Sequence, residues 1–200
     1  MTTMIAEQNN VTEDRVGTFI VTYSGVKFYP LDMRPDEILI EDIAHHSSNI
    51  CRYTGAVDPF YSVAEHAVRA SWNADDKYGP EVAFDVLMHD ASEAYAADVS
   101  RPVKQLPELA SYLELEEKIM FAIAGKFEFN WPMTSEVKEM DDGMLLAEWK
   151  SLMPLHDELD GPFFDAVREY DGRLITPWTS TEAKAMFLEE FDELQEVLSE

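Results

Sequence analysis

Apolar and polar positions divide the chain into two regimes. From Val16 to Leu31, β-branched and aromatic residues flank Ser24-Gly25, a pair suited to a tight turn. That pattern predicts a small two-stranded hairpin. Pro30 and Pro35 then break the chain, and Ile38, Ile40, Ile43 and Ala44 predict a short helix over Asp36–Asn49 with a polar face. Turns are expected at Thr54-Gly55 and Asp58-Pro59.

Beyond Ser62 the spacing is helical. Ser62 with Glu65 has the form of a capping box, ahead of Val63, Ala67 and Ala70 on one face. Pro80 suits the first turn of the next helix, expected to run through Val82, Val86 and Ala91 to about Ala97. Pro102 is expected to end the segment after it. Pro107 opens another helix, with Leu109, Leu113, Ile119, Met120 and Ile123 as its apolar stripe and Gly125 near its end. Further helices are predicted over Ser135–Met153, Pro162–Tyr170 and Thr181–Ser199. The last carries Ala185, Phe187, Leu188, Phe191, Leu194 and Leu198 on one side, for packing on the domain or on another subunit. The reading is an all-α fold with a small N-terminal β-hairpin: a loose arm over residues 1–14, then a single domain over residues 15–200.

Composition narrows the class. Apolar residues make up 46% of the 200, enough for one packed core and too many for a disordered chain. No apolar run approaches a membrane span, and Met1–Arg15 is too polar for a secretory signal, so no membrane association and a cytoplasmic protein are expected. The single cysteine, Cys51, excludes an internal disulfide and is read as a small structural thiol. The net charge of -25 argues against binding a nucleic-acid polymer, which needs a basic surface. A solvated surface explains the acidity most simply, and an acidic mimic of DNA is the alternative. An anionic substrate would need a locally positive site, built from a metal and a few of the 15 Lys and Arg residues.

Five histidines are present. His66 and His89 fall on predicted helices, His89 is followed by Asp90, and Glu93 lies three residues further on. On a helix Glu93 lies over roughly the same face as His89 and Asp90, one turn along. A His-Asp pair alone is common in a chain with 40 acidic residues. Together, His66, His89, Asp90 and a later helical aspartate form a mixed imidazole–carboxylate set. Such a set suits zinc, manganese, cobalt, nickel or iron, and leaves positions open for water and phosphate. His45-His46 are read as a polar helix face, His156 as a loop residue, and Trp131, Trp149 and Trp178 as core or interface residues.

The run His89-Asp90-Ala91-Ser92-Glu93, followed by Asp98, Pro102 and Lys104, resembles the HD-domain 5′-deoxynucleotidases. Val63-Ala64-Glu65-His66 resembles the first histidine motif of that family, and Arg52-Tyr53 resembles its Arg-aromatic pair. Over Arg15–Glu65 the chain is more narrowly similar to phage-encoded HD phosphohydrolases, including dATP triphosphohydrolases of phages that replace adenine with diaminopurine. The resemblance implies an HD-domain helical bundle that uses a divalent metal (zinc, cobalt, manganese or magnesium) to hydrolyse deoxynucleoside 5′-phosphates. The expected reaction is release of triphosphate from a dNTP such as dATP. The alternatives are release of phosphate from a dNMP, and a non-catalytic HD module that binds a nucleotide.

The resemblance also implies roles. His66, His89 and Asp90 are metal ligands. The fourth is an aspartate followed two turns later by a glutamate, which Asp141 satisfies with Leu145 and Glu148 on its face, and Asp142 remains the alternative. Glu93 acts as the base, and Arg52 contacts the nucleotide. Tyr53, where related enzymes often carry Trp, stacks on base or sugar. Asp98 takes the sugar 3′-hydroxyl, and Lys104 and Arg101 serve a phosphate tail. A small-molecule deoxynucleotide is the expected partner, and enzymes of this kind often self-associate, so a homo-oligomer is expected.

Overall fold

A computed structural model describes residues 14–154 and 175–200. The expected helix over 162–170, His156, and all but the last residue of the expected arm lie outside the described residues.

The hairpin forms as the pattern requires. β1 (Ile20–Val21) and β2 (Lys27–Phe28) pair antiparallel, Ile20 opposite Phe28 and Val21 opposite Lys27. Gly25 supplies the positive φ, 84°, that the turn needs. The hairpin is anchored inward. Phe28 is fully buried and stacks on Tyr95 at 4.0 Å, and Asp42 accepts hydrogen bonds from the Ser24 amide (2.7 Å) and hydroxyl (2.8 Å).

Helices fill the rest: α1 (Ile40–Asn49), α2 (Val63–Tyr78), α3 (Pro80–Met88), α4 (Glu93–Ala96), α5 (Arg101–Lys104), α6 (Ala110–Phe127), α7 (Ser135–Leu152) and α8 (Ser180–Ser199). α2 packs on α3, α7 packs on both, and α8 lies against α1, α2 and α3. Of the expected stripe on α8, Phe187, Phe191 and Leu194 are buried in the shared core, joined by Ala183, whereas Ala185 and Leu198 are exposed. Burying a Phe of this kind stabilises by roughly 1.5–3 kcal/mol.

Four expectations need correction. The helix expected from Asp36 begins only at Ile40, because Ile38 enters the core in an extended conformation after a 3-10 turn over Pro35–Glu37. The long helix expected from Pro80 to Ala97 breaks after Met88. A turn carries His89–Ser92, with the Ala91 amide donating to Met88 O and the Glu93 amide to Asp90 O at 3.0 Å each. Pro102 does not end a segment; it sits in the first turn of α5, where its missing N–H costs nothing. At Ser62 only half of the capping box exists. The hydroxyl accepts from the Glu65 amide, but the Glu65 carboxylate turns instead to Arg69 and to the Trp178 amide.

Candidate metal centre

α2, the turn after α3, and α7 meet at one point. There the Nε2 atoms of His66 and His89 lie 3.4 Å apart. Asp141 Oδ1 approaches them at 3.3 and 3.8 Å, and Asp90 Oδ2 at 3.9 and 3.2 Å. His66, His89 and Asp141 offer donor atoms that all lie within 4.8 Å of one another. Asp90 touches both imidazoles but also accepts from Arg52 Nη1 at 3.2 Å.

The hydrogen bonds behind the histidines set which nitrogen faces inward. His66 Nδ1 donates to Glu148 Oε1 at 2.6 Å, and His89 Nδ1 donates to Val86 O at 2.6 Å. In the neutral tautomers both Nε2 lone pairs then point into the same space, beside two carboxylates. That is an electrostatic conflict unless a cation lies among them. Donors about 2.1 Å from a common ion stand at most about 4.2 Å apart, and all four His–Asp separations meet that limit. His66, His89 and Asp141 therefore fit a divalent metal ion, with Asp90 beside them and held by Arg52. Without one, the same charges favour proton binding by the imidazoles. Burial lowers the His89 pKa, but Asp90 and Asp141 outweigh it and hold it well above the ordinary value; His66 is also raised, Glu148 and Asp141 outweighing burial and Arg52. Burial works to raise Asp141, yet the two imidazoles hold its carboxyl well below the ordinary range.

Glu148 is fully buried and tied on all sides. It accepts from His66, from the Tyr53 hydroxyl and from the Tyr61 hydroxyl (2.8 Å), and Arg52 Nε lies 3.3 Å away. Burial would raise its pKa, but Arg52 and His66 pull it down to about 2. A charged carboxylate behind a metal-facing imidazole fixes the ring and raises its basicity as a ligand.

A pocket of about 310 Å³ opens beside the cluster, walled by Tyr53, Leu145 and Trp149 and carrying Arg52, Asp98 and Lys104. Glu93 lines it too. One oxygen, Oε1, lies 3.5 Å from Lys104 Nζ; the other, Oε2, is buried with no hydrogen-bond partner among the described residues. Burial, reinforced by Asp90 and Asp98, raises the Glu93 pKa well above its ordinary value. A larger hollow of about 1110 Å³ lies under the hairpin near Arg15, Phe19 and Lys27. Arg15 there is neutralised by Asp32 and Glu37, and among the described residues no metal-binding cluster adjoins it, so the smaller pocket is the better candidate for chemistry.

The sequence candidates thus converge: Arg52, Tyr53, Asp90, Glu93, Asp98, Lys104 and Asp141 line one pocket, with His66 and His89 at its floor through their contacts to Asp90 and Asp141. The choice between adjacent aspartates is decided. Asp141 faces the imidazoles, whereas Asp142 faces Lys138 (2.5 Å) and Arg101 (3.5 Å). Tyr53 lines the pocket with its hydroxyl committed to Glu148. Arg101 reaches Asp141 and Asp142. His45 and His46 lie apart from the cluster. His45 stacks on Tyr23 at 3.8 Å, and His46 joins the Tyr23 amide to Ala94 O. Sequence reading missed Tyr61 and Glu116, and gave Glu148 a place without a role. A buried glutamate one helical face from a ligand is the signal that Glu148 offered; Tyr61 offered none.

No family model matches the chain. Over 180 residues it is 38% identical to YfdR, an uncharacterised protein of Escherichia coli (strain K12), a likeness covering 90% of this chain and 97% of YfdR. The chain belongs to the YfdR family. A second member of the comparison, RCAP_rcc00048 of Rhodobacter capsulatus, also uncharacterised, is 34% identical over 109 residues, 52% of this chain and 55% of that protein. The YfdR likeness thus runs nearly end to end, while the Rhodobacter one spans about half of each chain. Neither name states an activity, so the chemistry rests on the geometry above. No helix among the described residues is long and apolar enough to cross a membrane.

Proposed function

We propose that this protein is a metal-dependent phosphohydrolase of the HD kind that acts on deoxynucleoside 5′-phosphates, releasing triphosphate from a dNTP such as dATP. The observation that supports it best is the convergence of two imidazoles and two aspartates from separate elements beside a pocket that holds a buried glutamate with one unpartnered oxygen. His66, His89, Asp141 and Asp90 hold the metal, which when bound polarises a phosphoryl oxygen and acidifies a water. Zinc, cobalt, manganese or magnesium are the candidates.

The chain's own groups do the rest. Glu93 Oε2, having no hydrogen-bond partner among the described residues, is the atom available to take the proton of the attacking water. The water oxygen bonds to phosphorus, the bond from phosphorus to the 5′ oxygen breaks, and the proton passes to that leaving oxygen. Arg52 offsets charge developing on the phosphoryl group, while Tyr53 and Trp149 wall the space for base and sugar. Asp98 accepts from the sugar 3′-hydroxyl.

One observation favours a second reading, removal of phosphate from a dNMP. The pocket's three cations, Arg52, Arg101 and Lys104, face four carboxylates, Asp90, Glu93, Asp98 and Asp141. With one divalent ion that balance suits a monophosphate better than a triphosphate. Incubation with dATP and with dAMP, each with manganese or cobalt, separates the two by product. Triphosphate from dATP with inert dAMP supports the first, and phosphate from dAMP the second. Glu93→Ala should lower turnover by about 10²–10⁴-fold at unchanged metal content. Turnover that survives this change removes Glu93 as the base and favours a binding module.

A further inference from the structure

Lys104 stands at the edge of the pocket, and its partners say what it does there. Its ammonium is 2.7 Å from Glu116 Oε1 and 3.5 Å from Glu93 Oε1. It lines the 310 Å³ pocket and also a cavity of about 230 Å³ formed with Glu116, Met120 and Trp131. The shorter contact is the one away from the pocket. A phosphate group seeking this ammonium would compete with two carboxylates already beside it, one of them at full charge-assisted hydrogen-bond distance.

Glu93 is held the opposite way. Its Oε1 has Lys104 at 3.5 Å, and its Oε2 has no hydrogen-bond partner among the described residues. At 3.5 Å the ammonium attracts that Oε1 electrostatically and biases the orientation of the carboxylate. The backbone beneath it is braced too. α4 is one turn long and ends at Ala97 with φ +69°, so its last carbonyls lack the next helical turn. His46 Nδ1 donates to Ala94 O at 2.7 Å while its Nε2 accepts from the Tyr23 amide, and the Tyr112 hydroxyl donates to Ala97 O at 2.9 Å. The same Tyr112 oxygen lies 3.2 Å from Glu116 Oε1. The one Tyr112 hydroxyl hydrogen serves either Ala97 O or Glu116 Oε1, so the contacts run as a chain from Glu93 through Lys104 to Glu116, with Tyr112 beside its end.

We propose that Lys104, clamped by Glu116, is a positioning residue that aims Glu93 at the reacting water, and is not a ligand for the phosphate tail. This rests on the reading of Glu93 as the base. Glu116 is then a remote part of the same device, since it sets where the ammonium sits without lining the main pocket.

The test compares Lys104→Met and Glu116→Gln with the unmodified protein. It measures kcat and KM on whichever of dATP or dAMP is hydrolysed, and the Kd of inorganic phosphate for the manganese-loaded protein. Positioning predicts that Lys104→Met lowers kcat about 10–100-fold, with KM and phosphate Kd within about 3-fold. Glu116→Gln should lower kcat about 3–10-fold without raising KM, and decides the matter alone if Lys104→Met does not fold. A phosphate ligand predicts the reverse split. Lys104→Met would keep kcat and raise KM and phosphate Kd about tenfold, and Glu116→Gln would tighten phosphate; either result overturns the proposal. Unchanged kcat in Glu116→Gln also overturns it while leaving the hydrolase reading intact. A wild-type protein that binds manganese and hydrolyses neither nucleotide removes the hydrolase reading, and this inference with it.

Discussion

Glu148 Oε1 accepts the Nδ1 hydrogen of His66 at 2.6 Å, and through that bond α7 decides which nitrogen of an α2 histidine faces the candidate metal centre. The same helix carries Asp141 on the centre itself. One element thus supplies both a direct donor and the group that orients another.

Glu148→Gln should weaken metal binding about 10–100-fold, because a neutral amide holds the His66 ring less firmly and no longer raises its basicity. Titration of the metal-free variant with cobalt, followed by its visible absorption, measures this. Affinity equal to that of the wild type would mean that Glu148 serves only the fold.

The two adjacent aspartates should separate cleanly. Asp141→Asn removes a donor from the cluster and should abolish stoichiometric metal. Asp142→Asn loses contacts with Lys138 and Arg101 at a partly exposed edge, so it should retain the metal and change stability by no more than about 1 kcal/mol. Metal content by elemental analysis and thermal melts read the two outcomes.

Metal binding should release protons and strengthen as pH rises. His66 and His89 are held above the ordinary histidine value in the metal-free site, Glu148, Asp90 and Asp141 outweighing the burial that lowers them. The raised values widen the pH range in which the imidazoles hold protons that an ion must displace. Calorimetry with manganese in two buffers of different ionisation enthalpy gives the number released. A value of zero at neutral pH would show that both imidazoles are already neutral in the metal-free site.

Glu190, buried on α8, should make the protein less stable as pH rises. Burial lifts its pKa above the ordinary 4.5, more than Ser71 and Trp72 lower it. The native state then binds the extra proton, so stability is highest below the unfolded value and falls as pH climbs through the native one. The hydrogen bonds agree. The single Ser71 hydroxyl hydrogen has two acceptors within reach, Ala83 O at 3.0 Å and Glu190 Oε1 at 2.8 Å. A protonated Glu190 can donate to Ser71 while the hydroxyl serves Ala83. Glu190→Gln reproduces that arrangement, keeping an oxygen for Trp72 Nε1. Denaturant melts from pH 4 upward should show the variant equal to or above the wild type at neutral pH, with a flatter profile. A variant that is less stable at neutral pH would show that the ionised form is the native one.

Much was written in local pattern. Hairpin, α2, α6, α7 and α8 follow from periodicity, turn residues and caps, because these signals act within one or two turns of chain. The two histidines could be singled out because only five are present, whereas Asp90 and Asp141 were named through the resemblance to the HD-domain family, aspartates being common in so acidic a chain. Three matters waited for the tertiary structure. Whether Asp141 or Asp142 faces inward depends on the rotation of α7 against α2 and α3, a packing outcome that a one-residue shift would invert. The break of the helix at His89–Ser92 was invisible because the apolar period runs through it, while the turn is stabilised by what packs around it. The roles of Glu148, Tyr61 and Glu116 arise from contacts between residues far apart in sequence, and no local pattern encodes which distant partner a buried polar group will find.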